Sequence, residues 1–232
     1  MASIGVDMHS HLVPGIDDGS KSAEESLKIL ERMYELGFRK IITTPHTMWG
    51  GYDNTPETIS NGAQALNQFL EDQNFPLKVE ASSEYYSDGH FDELIKTKNL
   101  LPFANNHILF ELSYMFKPSN LAVTIFDLSV DGYKPILAHP ERYNYLFDKD
   151  LKEYNKIKDS GAYLQLNLFS LVDAYGPAAK QIAHKLIDAD LIDFVGTDIH
   201  NTAQLSYLDA LLSDPYMDKL LQKDKLLNKT LL

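Results

Sequence analysis

The sequence predicts an α/β fold with parallel strands, and three observations predict it. Short apolar runs recur about seven times along the 232 residues, most of them followed by a helical pattern, and no linker-like, repeated or low-complexity stretch divides the chain. Strand–helix units repeated in this way place the strands parallel, because each helix returns the chain before the next strand begins. Closure into a TIM-like barrel is the expected form, with one domain over residues 1–232. An open doubly wound sheet is the alternative, and the lack of a G-x-G-x-x-G loop after any strand weakens its dinucleotide-binding version.

The runs read in order as "SIGVD", "KIITTPH", "LKVEASSEYY", "HILFELS", "KPILAHPERY", "AYLQLNLFS" and "IDFVGTDIH". Each is short, several are rich in β-branched residues, and each leads into a polar loop, as buried strands do. Between them, "SAEESLKILERMYELG" offers a Ser22–Glu25 capping box, an apolar face of Leu27, Leu30, Met33, Tyr34 and Leu36, and Gly37 as a stop. "TPETISNGAQALNQFLEDQ" carries Thr55 as a cap and Pro56 at the first helical position. "PSNLAVTIFDLSVDG", "LKEYNKIKDSG" and "PAAKQIAHKLIDADL" continue the alternation. The amphipathic tail "YMDKLLQKDKLLNKTLL" is expected to close the barrel rather than lie on a membrane, since Asp218 and Asp224 interrupt its basic face.

Composition removes several function classes. There is no cysteine, hence no disulfide, thiolate zinc site or Cys nucleophile. With 33 acids against 21 bases the net charge is −12, which disfavours nucleic acid as a partner. No apolar run approaches the roughly 20 residues that span a bilayer. The start, "MASIGVD", lacks the basic and apolar regions of a secretory signal, so a cytoplasmic location is expected.

Chemistry gathers at the strand ends. His9 and His11 lie just past the first run, His46 ends the second, His139 ends the fifth and His200 ends the seventh, which accounts for five of the eight histidines. Asp18, Glu84, Glu111 and Asp198 occupy equivalent places. In a parallel barrel these carboxyl ends share one rim, where active sites of such folds lie. Residues i and i+2 of an extended segment point the same way, so His9 aims with His11, and Asp198 with His200. Five imidazoles and four carboxylates exceed the roughly four ligands of one zinc and suit two or three divalent ions. Without thiolates, manganese fits, with iron or zinc possible. Three such ions against four carboxylates leave a local excess of about +2, which would draw an anion such as phosphate into an acidic protein.

The set "DMHSH", "IDDG", "TTPH", "SSEYY", "FELS", "AHPERY" and "TDIHN" resembles the polymerase and histidinol phosphatase (PHP) superfamily, and within it the bacterial manganese-dependent protein-tyrosine phosphatases of capsule and exopolysaccharide loci. The likeness runs from about Val6 to His200. It implies a distorted seven-stranded β/α barrel (the PHP fold) and three metal sites. His9, His11, Glu84 and Asp198 would hold one ion, with Glu84 bridging to a second completed by Glu111 and His139. Asp18, His46 and His200 would hold the third. Arg142 matches the phosphate-binding arginine. It is one of only three arginines against 18 lysines, and a guanidinium can grip phosphate oxygens bidentately. One departure is that the segment after Asp198 reads "DIHNTAQLSYLDAL", without the arginine and prolines common there.

The implied reaction is hydrolysis of a phosphate monoester by a metal-activated hydroxide, with Arg142 neutralising the equatorial oxygens and His46 or Asp18 aiding the leaving group. The implied substrate is a phosphotyrosine protein, the tail of a tyrosine kinase controlling polysaccharide synthesis. A small-molecule phosphatase, such as a histidinol-phosphate phosphatase, is the alternative within the same chemistry. A non-catalytic metal-stabilised binding module would be expected to lack several ligands, and amidohydrolase chemistry would usually show a lysine where Glu111 stands. Asp7 is expected either to orient a ligand histidine or to make a strand hydrogen bond. His90, His107 and His184 are expected to be structural, and Arg32 and Arg39 to be surface charges. Trp49, Tyr52, Tyr85, Tyr86, Phe116, Tyr143 and Tyr145 fall near the expected rim.

Overall fold

The computed structural model describes residues 1–223 and 225–232; Asp224, one of the two acids expected to interrupt the basic tail, lies outside them. The chain alternates strands and helices. The strands are β1 (Val6–Asp7), β2 (Lys40–Thr43), β3 (His46–Thr47), β4 (Val79–Ala81), β5 (Glu84–Tyr86), β6 (His107–Glu111), β7 (Lys134–Ala138), β8 (Tyr163–Asn167) and β9 (Phe194–Gly196). The longer connections carry α1 (Ala23–Glu35), α2 (Pro56–Asp72), α3 (Gly89–Thr97), α4 (Leu121–Val130), α5 (Lys152–Asp159) and α6 (Pro177–Asp188), and α7 (Leu205–Leu211) and α8 (Pro215–Gln222) follow the last strand.

The expected seven runs become nine strands because two of them break opposite each other. Pro45 has no N–H to give to a ladder, so "KIITTPH" divides into β2 and β3, and "LKVEASSEYY" divides at Ser82–Ser83 into β4 and β5. All ladders are parallel, in the orders β1-β2-β4 and β3-β5-β6-β7-β8-β9. Hydrogen bonds cross the break, from Ser82 N to Thr43 O (2.9 Å) and from Glu84 N to Pro45 O (3.1 Å). On the far side Ser10 bridges in parallel to Ile199, with Asp198 N donating to His9 O (2.7 Å) and His11 N to Ile199 O (2.9 Å). Pairing thus runs from the last strand back to the first.

Alternation along the strands makes two cores. Val6, Met8, Ile42, Leu109, Ile136, Ala138 and Phe194 form an inner cluster with Phe103 and Leu231, while Ile41, Ile108, Phe110, Leu137, Leu164, Leu166 and Val195 pack outward on the helices. His107, at the start of β6, sits beside Phe103, Tyr163 and Phe194, remote from the opposite rim.

Caps follow the sequence with one change. Thr55 and Thr58 make a reciprocal capping box on α2, with Pro56 in the first turn. Ser22 accepts from Glu25 N as expected, but the Glu25 carboxylate turns to Lys21 N and Thr202 N, so the box is only half made. The short helix α3, capped by Asp88, adds to the expected helices. The tail packs on the barrel: α8 buries Met217 and Leu220, and a 3-10 turn, Leu227–Leu231, buries Asn228 and Leu231. Asn228 accepts from Val195 N (3.0 Å) and donates to Val6 O (3.0 Å) and Val195 O (2.8 Å), tying β1 to β9. Asn228→Ala leaves three backbone groups unpaired and is expected to lower unfolding free energy by about 2–3 kcal/mol, measured by urea denaturation; a change within about 0.5 kcal/mol would show that this clamp does not stabilise the fold. No helix among the described residues is long and apolar enough to cross a membrane.

Candidate metal centre

Local structure delivers the expected donors to one rim. Beyond β1 the chain stays extended, placing His9 Nε2 and His11 Nε2 3.3 Å apart. His46 opens β3 and is register partner to Glu84, which opens β5. Glu111 ends β6, His139 follows β7, and Asp198 and His200 follow β9. Glu84 is at the centre. Its Oε2 lies 3.2 Å from His9 Nε2, 3.4 Å from His11 Nε2 and 3.2 Å from His46 Nδ1, and its Oε1 lies 2.8 Å from His139 Nε2. Asp198 Oδ1 is 3.2 Å from both His9 Nε2 and His11 Nε2. Asp18 Oδ1 is 3.5 Å from His46 Nε2 and 3.5 Å from His200 Nε2.

Three groups emerge whose donor atoms all lie within 4.8 Å of one another: His9, His11, Glu84 and Asp198; His46, Glu84 and Glu111; and His11, Asp18, His46 and His200. His46 therefore faces two groups, with Nδ1 3.2 Å from Glu111 Oε1 and Nε2 toward Asp18. His139 reaches the middle group through Glu84 and stands 3.9 Å from Glu111 Oε2.

The backbone is bent to bring these donors together. His139 and Asp198 both adopt left-handed conformations, with φ of 34° and 54°, a cost of order 1–2 kcal/mol for a non-glycine residue that such sites commonly bear. Two glycines permit close approach: a Cβ on Gly196 would lie 2.5 Å from His9 Cβ, and one on Gly19 would lie 2.3 Å from His11 O.

Hydrogen bonds behind the donors fix their rings. His11 Nδ1 pairs with Asp17 Oδ2 (2.8 Å), whose carboxylate also accepts from His46 N and Gly19 N. His9 Nδ1 pairs with Gln165 Oε1 (2.8 Å), His200 Nδ1 donates to Asp198 O (2.8 Å), and Asn167 Nδ2 donates to Asp198 Oδ2 (2.8 Å). Asp17, Gln165 and Asn167 were missed in the sequence. Gln165 and Asn167 are polar residues two apart in an apolar strand, the same spacing that exposed the histidine pair. Asp7, by contrast, orients no histidine: it accepts from Thr197 N (2.8 Å) and Thr197 Oγ1 (3.0 Å), and burial pushes its carboxyl up to about 7.

Charge runs against burial here. Burial alone would raise the Glu84 and Asp198 carboxyls, yet the surrounding histidines hold both well below the usual carboxylate range. Burial would lower His11, but Asp17, Asp198 and Glu84 raise it well above its ordinary value. His139 is shifted down by burial and by Arg142. Glu84 Oε2, fully buried, has no hydrogen-bond donor despite three imidazole nitrogens around it. An oxygen-and-imidazole set converging on an unsatisfied carboxylate oxygen fits divalent cations of the harder kind.

Asp18, His46, Glu84, Glu111, His139, Asp198 and His200 line a cavity of about 580 Å³ whose wall also includes Met48, Tyr52, Tyr86, Tyr114, Tyr175 and Arg142, while His9 and His11 are fully buried. Arg142 Nη1 donates to Asp198 Oδ2 (3.0 Å), and its guanidinium carbon lies 4.8 Å from the centre of the Tyr114 ring and 4.2 Å from that of Tyr175. Tyr114 and Tyr175, absent from the aromatic residues singled out in the sequence, thus both pack against the guanidinium. Tyr85 and Tyr143 are buried in the core instead, while Trp49 and Phe116 are exposed. Arg32 pairs with Glu35 and Asp209, and Arg39 binds the carbonyls of Tyr34 and Phe38, both away from the rim.

The profile of the capsular polysaccharide synthesis family CpsB/CapC matches residues 5–210. The chain belongs to the CpsB/CapC family. Tyrosine-protein phosphatase YwqE of Bacillus subtilis strain 168 is 31% identical over 197 residues, which are 84% of this chain and 77% of YwqE. Tyrosine-protein phosphatase CpsB of Streptococcus agalactiae serotype V is 29% identical over 203 residues, 84% of this chain and 83% of its own. Among solved structures, those described as YwqE from Bacillus subtilis and CpsB from Streptococcus pneumoniae, unique metal-dependent tyrosine phosphatases, include a chain with a TM-score of 0.86 at 28% identity, over 98% of this chain and 94% of that one. The CpsB/CapC match takes in every donor described above and Arg142.

Proposed function

We propose that this CpsB/CapC protein is a metal-dependent protein-tyrosine phosphatase. The observation that carries the reading is Glu84, buried among four imidazoles in a cavity that Arg142, packed on two tyrosine rings, also lines. His9, His11, Glu84 and Asp198 would hold a first divalent ion, Glu84, Glu111 and His139 a second, and Asp18, His46 and His200 a third; His46 faces the last two groups with its two ring nitrogens. Manganese is the metal that this thiolate-free donor set suits. When bound, such ions supply Lewis-acid charge and lower the pKa of coordinated water from 15.7 toward about 7.

The chain's own residues do the rest. Arg142 takes two phosphate oxygens, and Tyr114 and Tyr175 fix its plane, so the fork does not have to be ordered when substrate binds. Tyr52, Tyr86 and Met48 wall the cavity with apolar surface suited to a phenol ring. His46, stacked on Tyr52 with ring centres 5.5 Å apart, and Asp18 beside it would aid the leaving phenolate through the charge of the third ion that they would hold. The substrate is a phosphotyrosine-bearing protein, a tyrosine kinase that controls capsular or exopolysaccharide synthesis, acted on in the cytoplasm.

Hydrolysis of a phosphotyrosine peptide, compared with histidinol phosphate on manganese-loaded protein, tests the substrate class. A higher kcat/KM for the peptide is expected, and the reverse order would move the protein to the small-molecule phosphatases. Asp17→Asn weakens the acceptor that orients His11, and manganese affinity by calorimetry is expected to fall about 10- to 100-fold. Wild-type affinity in this variant would remove the positioning role of Asp17.

A further inference from the structure

The sequence holds one tryptophan, and the fold leaves it 71% exposed at the edge of the site. Trp49, with Asp88, Gly89 and His90, lines a second cavity of about 350 Å³, its ring tilted against His90 at 5.2 Å between centres. The two segments that build this cavity also build one wall of the catalytic cavity: Met48 and Tyr52 flank Trp49, and Tyr86 precedes Asp88. The two cavities are thus built on the same two chain segments, with no lining residue in common.

The Trp49 loop is held in place. Met48 and Tyr52 exchange backbone hydrogen bonds at 2.9 Å each, Gly50 turns the chain at φ 70°, and Trp49 N donates to Asp88 Oδ2 at 3.4 Å. Asn54 Nδ2 fastens the loop base to Ile16 O (3.0 Å) and His46 O (2.8 Å). A large apolar ring presented to water on a braced loop loses little freedom on binding, as recognition aromatics do. The ring face suits a flat side chain, and the Asp88 carboxylate beside it disfavours an acidic one.

We propose that the Trp49–His90 cavity is a second binding pocket, which takes a flat aromatic side chain flanking the phosphotyrosine of the substrate peptide. This rests on the phosphotyrosine reading above. In an extended peptide residues two apart point the same way, so the phosphotyrosine can enter the candidate metal site while the residue two positions from it lies on Trp49.

Two phosphotyrosine peptides, identical except for phenylalanine or alanine two positions to either side of the phosphotyrosine, and p-nitrophenyl phosphate test it. Trp49→Ala and His90→Ala are each expected to lower kcat/KM about fivefold for the phenylalanine peptide, through KM. Rates on the alanine peptide and p-nitrophenyl phosphate are expected to stay at wild-type values. Equal turnover of both peptides by wild type, or uniform slowing of all substrates in the variants, would overturn the pocket. Emission from Trp49, the single tryptophan, reads binding without turnover: the phenylalanine peptide is expected to shift it and the alanine peptide not. If that shift occurs while no phosphotyrosine substrate is hydrolysed, the phosphatase reading fails and the pocket stands. If neither peptide shifts the emission, the pocket is wrong.

Discussion

Glu84→Gln is expected to lower kcat on a phosphotyrosine peptide by on the order of 10³-fold or more, the largest single-residue loss in the protein. The amide keeps the shape of the carboxylate but removes the negative charge that His9, His11, His46 and His139 all face. It also puts N–H donors toward nitrogens that need to bind cations, so two of the three proposed ion sites are disrupted together. The check is kcat with saturating manganese, alongside bound metal by elemental analysis, which is expected to fall by one to two ions per chain. Far-ultraviolet circular dichroism separates this loss from unfolding. A variant with wild-type kcat would remove Glu84 from the centre of the mechanism.

Arg142→Ala is expected to cost about 10²- to 10³-fold in kcat/KM with metal content unchanged. Arg142→Lys should recover little, because an ammonium offers a point charge where the site packs a planar fork on aromatic rings. Those rings are Tyr114 and Tyr175, with centres 4.8 Å and 4.2 Å from the guanidinium carbon. Full recovery by lysine would mean that Arg142 supplies only charge. Loss of metal in the alanine variant would mean instead that its bond to Asp198 is what matters, since that carboxylate belongs to the first proposed ion site.

The donors were legible because their chemistry is rare in a strand and their spacing matches the strand period. His9 with His11 and Asp198 with His200 point together by alternation alone, and the parallel fold brings separate strand ends to one rim. The groups behind them were harder to read. Asp17 and Asp18 are adjacent and chemically identical, and only the turn at Gly19 decides that Asp17 supports His11 while Asp18 faces the cavity. Tyr114 and Tyr175 are 61 positions apart, and nothing local shows that both pack against Arg142. The family resemblance implies one ion group for His46, yet its two ring nitrogens face two, an outcome of ring orientation that no spacing rule carries. In the fold, the alternation of strands and helices gave the class and the parallel order, whereas the breaks at Pro45 and Ser82–Ser83 depend on two strands failing opposite each other.

The central claim is that these donors exist to hold divalent cations that do the chemistry. Protein stripped with a chelator and titrated with manganese, with bound metal and phosphotyrosine hydrolysis measured in the same samples, tests it most directly. Two to three ions per chain are expected, with activity absent in the stripped protein and rising as they bind. Hydrolysis that continues unchanged without metal, or protein that takes up none, would contradict the account.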